Sequence, residues 1–148
     1  MSINEKMAAF SRQSIRMSGF NEYSRYAYAT DKDVQDLVNG FNLENQLYIT
    51  YTVIRSEISY VDDKVAASVE VRAKLIDAET GEYIESFAPG FALSKDDKAL
   101  YKAMTGAKKY ATRLLYGLAS EPKDEPENET PELRSARKIL PKESRSNG

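Results

Sequence analysis

The chain of 148 residues carries 21 basic and 23 acidic side chains, a formal net charge of −2, and contains neither histidine nor cysteine. Without histidine there is no imidazole base, no Ser-His-Asp triad and no histidine-ligated zinc; without cysteine, thiol chemistry and thiolate metal sites are excluded as well. At 41% hydrophobic and 30% charged the composition is that of one globular domain, and no run approaches the ~18 apolar residues that a membrane helix needs.

No signal-peptide pattern opens the chain, and the lack of cysteine fits a reducing compartment such as the cytoplasm. Residues 2–17 read as a helix, with Ser2 as N-cap and Ile3, Met7 and Phe10 marking one side and Lys6, Arg12 and Arg16 the other. Its expected role is packing, or docking on a neighbouring subunit, and Gly19 ends it. Residues 20–30 form an aromatic connector. Tyr23, Arg25, Tyr26 and Tyr28 set flat rings beside a guanidinium, a combination that can stack bases and hold phosphate. An equal alternative places Tyr26 and Tyr28 on alternate positions of a short strand, packed inward.

Thr30 or Asp31 caps a second helix through about Asn39, with Val34, Leu37 and Val38 inward and Gly40 as terminator. Residues 46–59 are rich in β-branched and aromatic side chains and predict a strand. After the turn Asp62-Asp63-Lys64, the alternation of Val65, Ala67, Val69, Val71, Ala73 and Leu75 with Ser68, Glu70, Arg72 and Lys74 predicts a strand with one wet face. A hairpin loop at Asp77–Gly81 leads to a third strand, Tyr83–Phe87, broken by Pro89-Gly90.

The next stretch, 94–118, is the most informative. Leu100, Ala103, Met104, Ala107, Ala111, Leu114, Leu115 and Leu118 recur at helical spacing, and Ser94 with Asp97 forms a serine-x-x-acid cap. The same wheel sets Lys98, Lys102, Lys109 and Arg113 opposite that stripe, together with Thr105 and Tyr116, and puts Lys108 on a flank beside Tyr101 and Thr112. Between 95 and 118 six basic residues face two acids, a balance of +4 inside a chain of −2. A helix built only for stability mixes both signs in i,i+4 pairs. This one does not.

Beyond Ala119 lie four of the five prolines. Residues 119–132 hold six acids against Lys123, and 133–148 hold five basic residues against Glu143. The domain expectation is therefore 1–120 folded and 121–148 a disordered charged tail, in which Leu133–Leu140 is suited to fold on a protein partner.

Two chemistries are weighed against these residues. Thr105-Gly-Ala-Lys-Lys109 lacks the flanks of a phosphate-binding loop, so nucleotide hydrolysis is not expected and no cofactor is implied. A metal-dependent nuclease would need convergent carboxylates from Asp62, Asp63, Glu70, Asp96 and Asp97. The aspartates are better explained by turn and cap chemistry, and Glu70 beside Arg72 is a weak strand motif. Phosphate-backbone binding is favoured: Lys98 to Arg113 spans roughly 22 Å, which follows on the order of six phosphates of one strand. Arg72 and Lys74 on the wet sheet face are the expected opposite wall of the groove. A third possibility is a module that meets protein partners through its tail and has no DNA function.

Asp97-Lys98-Ala-Leu-Tyr-Lys102-Ala-Met-Thr-Gly106-Ala-Lys108-Lys109-Tyr-Ala111 resembles the signature helix of the ERF (essential recombination function) superfamily of phage single-strand annealing proteins. Tyr26-Ala-Tyr28 followed by Asp33-Val34 is similar to that family's N-terminal aromatic-plus-acid motif, and the match covers about residues 3–120. Asp96 stands where the family has glycine, which argues against an anion at that helix N-terminus. The tail is shorter than in members with a large C-terminal domain. The resemblance implies an α+β fold in which a three-stranded antiparallel meander is joined to a long basic helix. It also implies ATP-independent binding and annealing of single-stranded DNA by ring-shaped or helical homo-oligomers, without catalytic residues or metal. A phage-encoded member would work in the bacterial host cytoplasm and meet host or phage recombination proteins through its tail. The site residues are then Lys98, Lys102, Lys108, Lys109 and Arg113, with Arg25, Tyr26, Tyr28, Arg72 and Lys74.

Overall fold

The computed structural model describes residues 1–23 and 25–118; the expected tail, with its Leu133–Leu140 segment, lies outside the described residues, as does the side chain of Tyr26. Three strands make an antiparallel meander in the order β3-β4-β5: β3 Leu47–Val61, β4 Lys64–Asp77 and β5 Tyr83–Ser94. One face carries the helices α1 Ile3–Phe10, α2 Asp31–Asn45 and α3 Ala99–Tyr116, and a short ribbon of β1 Gly19–Asn21 and β2 Tyr26–Tyr28 precedes α2. This is the α+β architecture that the alternating and helical periodicities predict.

The strand β4 decides the layering. Its odd residues from Ala67 to Leu75 are buried under the helices, whereas Ser68, Glu70, Arg72, Lys74 and Ile76 face the other way and stay partly or fully exposed. Leu75, Ala73 and Ala88 join Phe10, Val38, Phe41, Leu115 and Tyr116 in the main core. There Phe10 meets Phe41 edge-on at 5.0 Å and Tyr116 at 4.7 Å. A second cluster beneath the first half of α3 is built of small residues, Ala67, Ala92, Ala99, Ala103 and Ala107 with Val69 and Val71. Leu100 and Met104 pack at its margins, and where Ala103 and Ala107 meet Gly90 of β5 only small groups intervene, so the helix lies close to the sheet.

Several boundaries differ from those expected. The first helix stops at Phe10, not 17: the next turn would bring only Gln13 and Ser14 to the apolar side, and leaving the helix lets Ile15 pack on the core while Met17, although in phase, is exposed. Lys6, assigned to the wet face, is buried: its Nζ lies 2.9 Å from Asp77 Oδ2 and donates to Asn45 O at 2.7 Å, tying α1 to the end of β4. That contact holds the Asp77 carboxyl below its ordinary range and raises the Lys6 ammonium. The helix α2 runs through exposed Gly40 to bury Phe41, and its left-handed terminator is Gln46. The strand β5 continues through Pro89 and Gly90 to Ser94, since proline is tolerated on an edge strand. Ser94 therefore ends a strand and does not cap α3. Asp96 organises the connecting turn, where its Oδ1 accepts from Ser94 Oγ at 2.9 Å and from the Lys98 amide at 3.0 Å.

The acid of the aromatic-plus-acid motif has a visible job. Asp33 Oδ2 accepts from the Ser18 amide (3.0 Å), the Ser18 hydroxyl (2.6 Å) and the Thr30 amide (2.9 Å), while Thr30 Oγ1 caps the Asp33 amide. It thus clasps both ends of the β1–β2 ribbon to the start of α2. The Ser18 and Thr30 donors hold its carboxyl far below the usual range. Because the folded state lowers this pKa, the clasp contributes fully above about pH 5, begins to weaken near ~4 and declines progressively as pH falls towards the much lower folded-state value. Asp33→Ala is expected to lower the melting temperature on the order of five degrees at pH 7. The gap to the parent should narrow at pH 3 in a thermal melt followed by circular dichroism.

Candidate nucleic-acid interface

The helix α3 presents its lysines unequally. Lys98, Lys102 and Lys108 are exposed, Lys109 is half-buried, and no ion pair among the described residues uses Lys98, Lys102 or Lys108. The far end of the ridge is different. Arg113 retains only 3% exposure and lines an apolar groove with Ala88, Pro89 and Tyr110, whereas Leu114, placed by the wheel on the buried stripe, is 60% exposed. Tyr116, expected in solvent, is buried and donates its hydroxyl to Asn42 Oδ1 at 2.5 Å; burial raises its pKa. Tyr116 is covered because Phe10 of α1 and Asn42 of α2 close over the last turn of α3, whereas Arg113 lies against Ala88 and Pro89 of β5.

Between α2 and α3 lies a cleft of about 310 Å³. Asp31, Val34 and Gln35 form one wall, and Thr105, Lys108, Lys109 and Thr112 the other. Tyr51 of β3 is the floor. The Thr112 hydroxyl donates to the Lys108 carbonyl at 2.8 Å, as a helical threonine does, so the Tyr51 hydroxyl is the donor in its 2.6 Å contact with Thr112 Oγ1. That chain fixes the Tyr51 ring, and Lys108 Nζ stands 4.9 Å from its centroid. An ammonium over an aromatic ring above a cleft suits a ligand that combines phosphate with flat apolar groups. Tyr51, Asp31 and Gln35 are absent from the residues picked by sequence. Their signal is a long-range juxtaposition of α2 over β3, which no local spacing encodes.

Along β3 the cleft opens onto a shelf. An irregularity at Ile54 between the pairs Val53↔Val71 and Arg55↔Glu70 shifts the alternation, so that Ile58 and Tyr60 pair with Ala67 and Val65 on the helix side while Arg55 and Glu57 turn to the outer face. Val53, Ile58 and Tyr60 are exposed there, beyond the cover of α2.

The remaining expected residues are not gathered at this cleft. Arg72 and Lys74 lie on the sheet face turned away from α3, so they form no opposite wall; Arg72 Nε is 3.8 Å from Glu85 and Lys74 Nζ lies 3.9 Å over the Tyr83 ring. Arg25 is exposed with φ 55° in the ribbon turn, and Tyr28 is half-buried against Gly19. The backbone of 26–28 is a short strand, as the alternative reading has it, and of its inward packing the described residues show only the partial burial of Tyr28. Because that ribbon leads directly into the start of α2, it approaches the cleft from the Asp31 end. The carboxylates considered for a nuclease are dispersed: Asp62 and Asp63 at the β3–β4 turn, Glu70 on the outer face 3.6 Å from Arg55, and Asp96 before α3. Among the described residues no three such groups cluster as a metal site would require, and no helix is long and apolar enough to cross a membrane.

No curated protein sequence matches the chain. The sequence model of a family described as the ERF superfamily matches residues 3–148.

Proposed function

Because the chain belongs to the ERF superfamily, whose phage-type members anneal single strands in recombination and are generally not enzymes, we propose that it binds single-stranded DNA and anneals complementary strands as a homo-oligomer, without ATP. The observation that carries this reading is the cleft, in which Lys108 stands over Tyr51 with Lys109 beside it and Lys98 and Lys102 continue the positive line along α3. From Lys98 to Lys109 the helix rises roughly 16 Å, enough for on the order of five phosphates. Annealing requires phosphates held while Watson–Crick edges stay available to an incoming strand. A lysine ridge is blind to sequence and meets that requirement; a single tyrosine floor adds stacking without reading bases.

Residues 1–120 are the proposed annealing domain, and 121–148 a tail for protein partners. The ridge lysines are the primary contact, with Arg25, Tyr26 and Tyr28 at the α2 end. Arg72 and Lys74 could join only if the strand crossed the sheet edge. Incubating two complementary fluorescent oligonucleotides with the protein, in EDTA and without nucleotide, is expected to accelerate duplex formation over the spontaneous rate and to leave both strands at full length. Acceleration that requires ATP would overturn the reading. Cleavage of the strands on adding Mg²⁺, abolished by Glu70→Ala, would replace it with the nuclease alternative.

A further inference from the structure

The outer edge of β3 is not used by the DNA reading. The strand spans fifteen residues, and among the described residues no strand or backbone hydrogen bond occupies the side away from β4. Each residue from Thr50 to Tyr60 is exposed. Open edges are normally blunted by proline, lysine or bulges, because unpaired amides and carbonyls template another strand. The other edge of the sheet is treated that way, with Pro89 in the middle of β5. The edge of β3 has no proline and no lysine, and after the bulge at Ile54 it runs regularly to Val61.

We propose that a second copy of the chain docks on this edge, the two β3 strands pairing antiparallel about a two-fold axis through Ser56. The charges select the register. Arg55 and Glu57 are the only charged residues of β3, and both turn to the outer sheet face, Arg55 opposite Glu70 and Glu57 opposite Ser68. With the axis at Ser56, Arg55 of each copy stands directly across from Glu57 of the other, and Ile54 from Ile58. Moving the axis to residue 55 or 57 would set Arg55 against Arg55 or Glu57 against Glu57, and like charges directly opposed are destabilising. An axis between residues would oppose side chains from different faces. Ile54 and Ile58, 45% and 53% exposed, lose water on pairing. The bulge at Ile54 confines regular pairing to residues 55–57 of each copy, with Ile54 and Ile58 flanking it, so the contact is a reversible one that closes at two copies and gains strength only where other contacts hold the copies together. The inference takes up the homo-oligomer part of the proposed function and does not depend on which residues hold DNA.

The chain has no cysteine, so Ser56→Cys introduces a single thiol at an exposed position where a disulfide joins only copies related by that axis. Under mild oxidation a species at twice 16.7 kDa is expected on a non-reducing gel, with at least tenfold less from Ser59→Cys. In sedimentation velocity, Arg55→Glu is expected to weaken self-association at least tenfold, and Arg55→Glu with Glu57→Arg to restore it. Absence of the Ser56→Cys dimer, or failure of the double reversal to restore what the single one loses, overturns the proposal. Oligonucleotide binding measured on the same samples separates the two readings: intact binding without the cross-link removes this contact alone, and an intact cross-link without binding removes the DNA reading alone.

Discussion

Gly90→Ala is expected to destabilise the domain by about 2–3 kcal/mol, lowering its melting temperature by roughly 10–15 °C. A β-carbon built at Gly90 falls 2.0 Å from the Ala103 carbonyl oxygen and 2.9 Å from Ala107 Cβ. The nearer atom is helix backbone, so no rotamer change relieves it; α3 must lift off β5 or slide along it. Either movement opens the alanine layer, where Ala99, Ala103, Ala107 and Ala111 are wholly buried, and the small voids so created forfeit contacts along the whole helix. Chemical and thermal unfolding followed by circular dichroism measures the loss. Adding Ala107→Gly should not rescue the variant, because the decisive clash is with the Ala103 carbonyl. A rescue would show that the methyl group, not the backbone, sets the spacing.

The same layer shows how much of the fold was legible. The recurrence of Ala103, Ala107 and Ala111 marks a buried face on any helical wheel, and the alternation from Val65 to Leu75 marks a one-sided strand; both are local patterns, and both hold. That the alanines face a glycine on β5 is a relation between two elements, invisible until they are packed. Pro89-Gly90 therefore read as a break, although proline suits an edge strand and glycine admits the helix. Ser94 offered a hydroxyl that serves equally at a helix cap or in a turn with Asp96, and only the path of the chain decides between them. Lys6 shows the converse: its sequence position says solvent, but Asp77, seventy-one residues later, supplies the partner that permits burial. In the candidate site the exposed lysines were legible from charge alone. Tyr51 was not, because α2 reaches it only through tertiary packing, nor was the loss of Arg113, which lies in a groove with Ala88 and Pro89 of β5.

Replacing Lys102, Lys108 and Lys109 together by alanine is expected to reduce the log–log salt slope of oligonucleotide binding by about 2 and to weaken binding on the order of 100-fold at 0.1 M salt, since each phosphate contact to a single strand contributes about 0.7 to the slope. Alanine is the strongest helix former and the first two positions are exposed, so the far-ultraviolet spectrum should be unchanged. Arg72→Ala with Lys74→Ala supplies the contrast. Those side chains occupy the opposite sheet face and already engage Glu85 and Tyr83, so their removal should change the slope by less than about 0.7. Fluorescence anisotropy of a labelled oligonucleotide from 50 to 300 mM salt reads both variants. The reverse ranking would place the strand on the outer face and reduce the α3 cleft to packing between helices. Equal losses from both would mean a strand that crosses the β3 edge, and it would then compete with a second copy for the residues around Ser56.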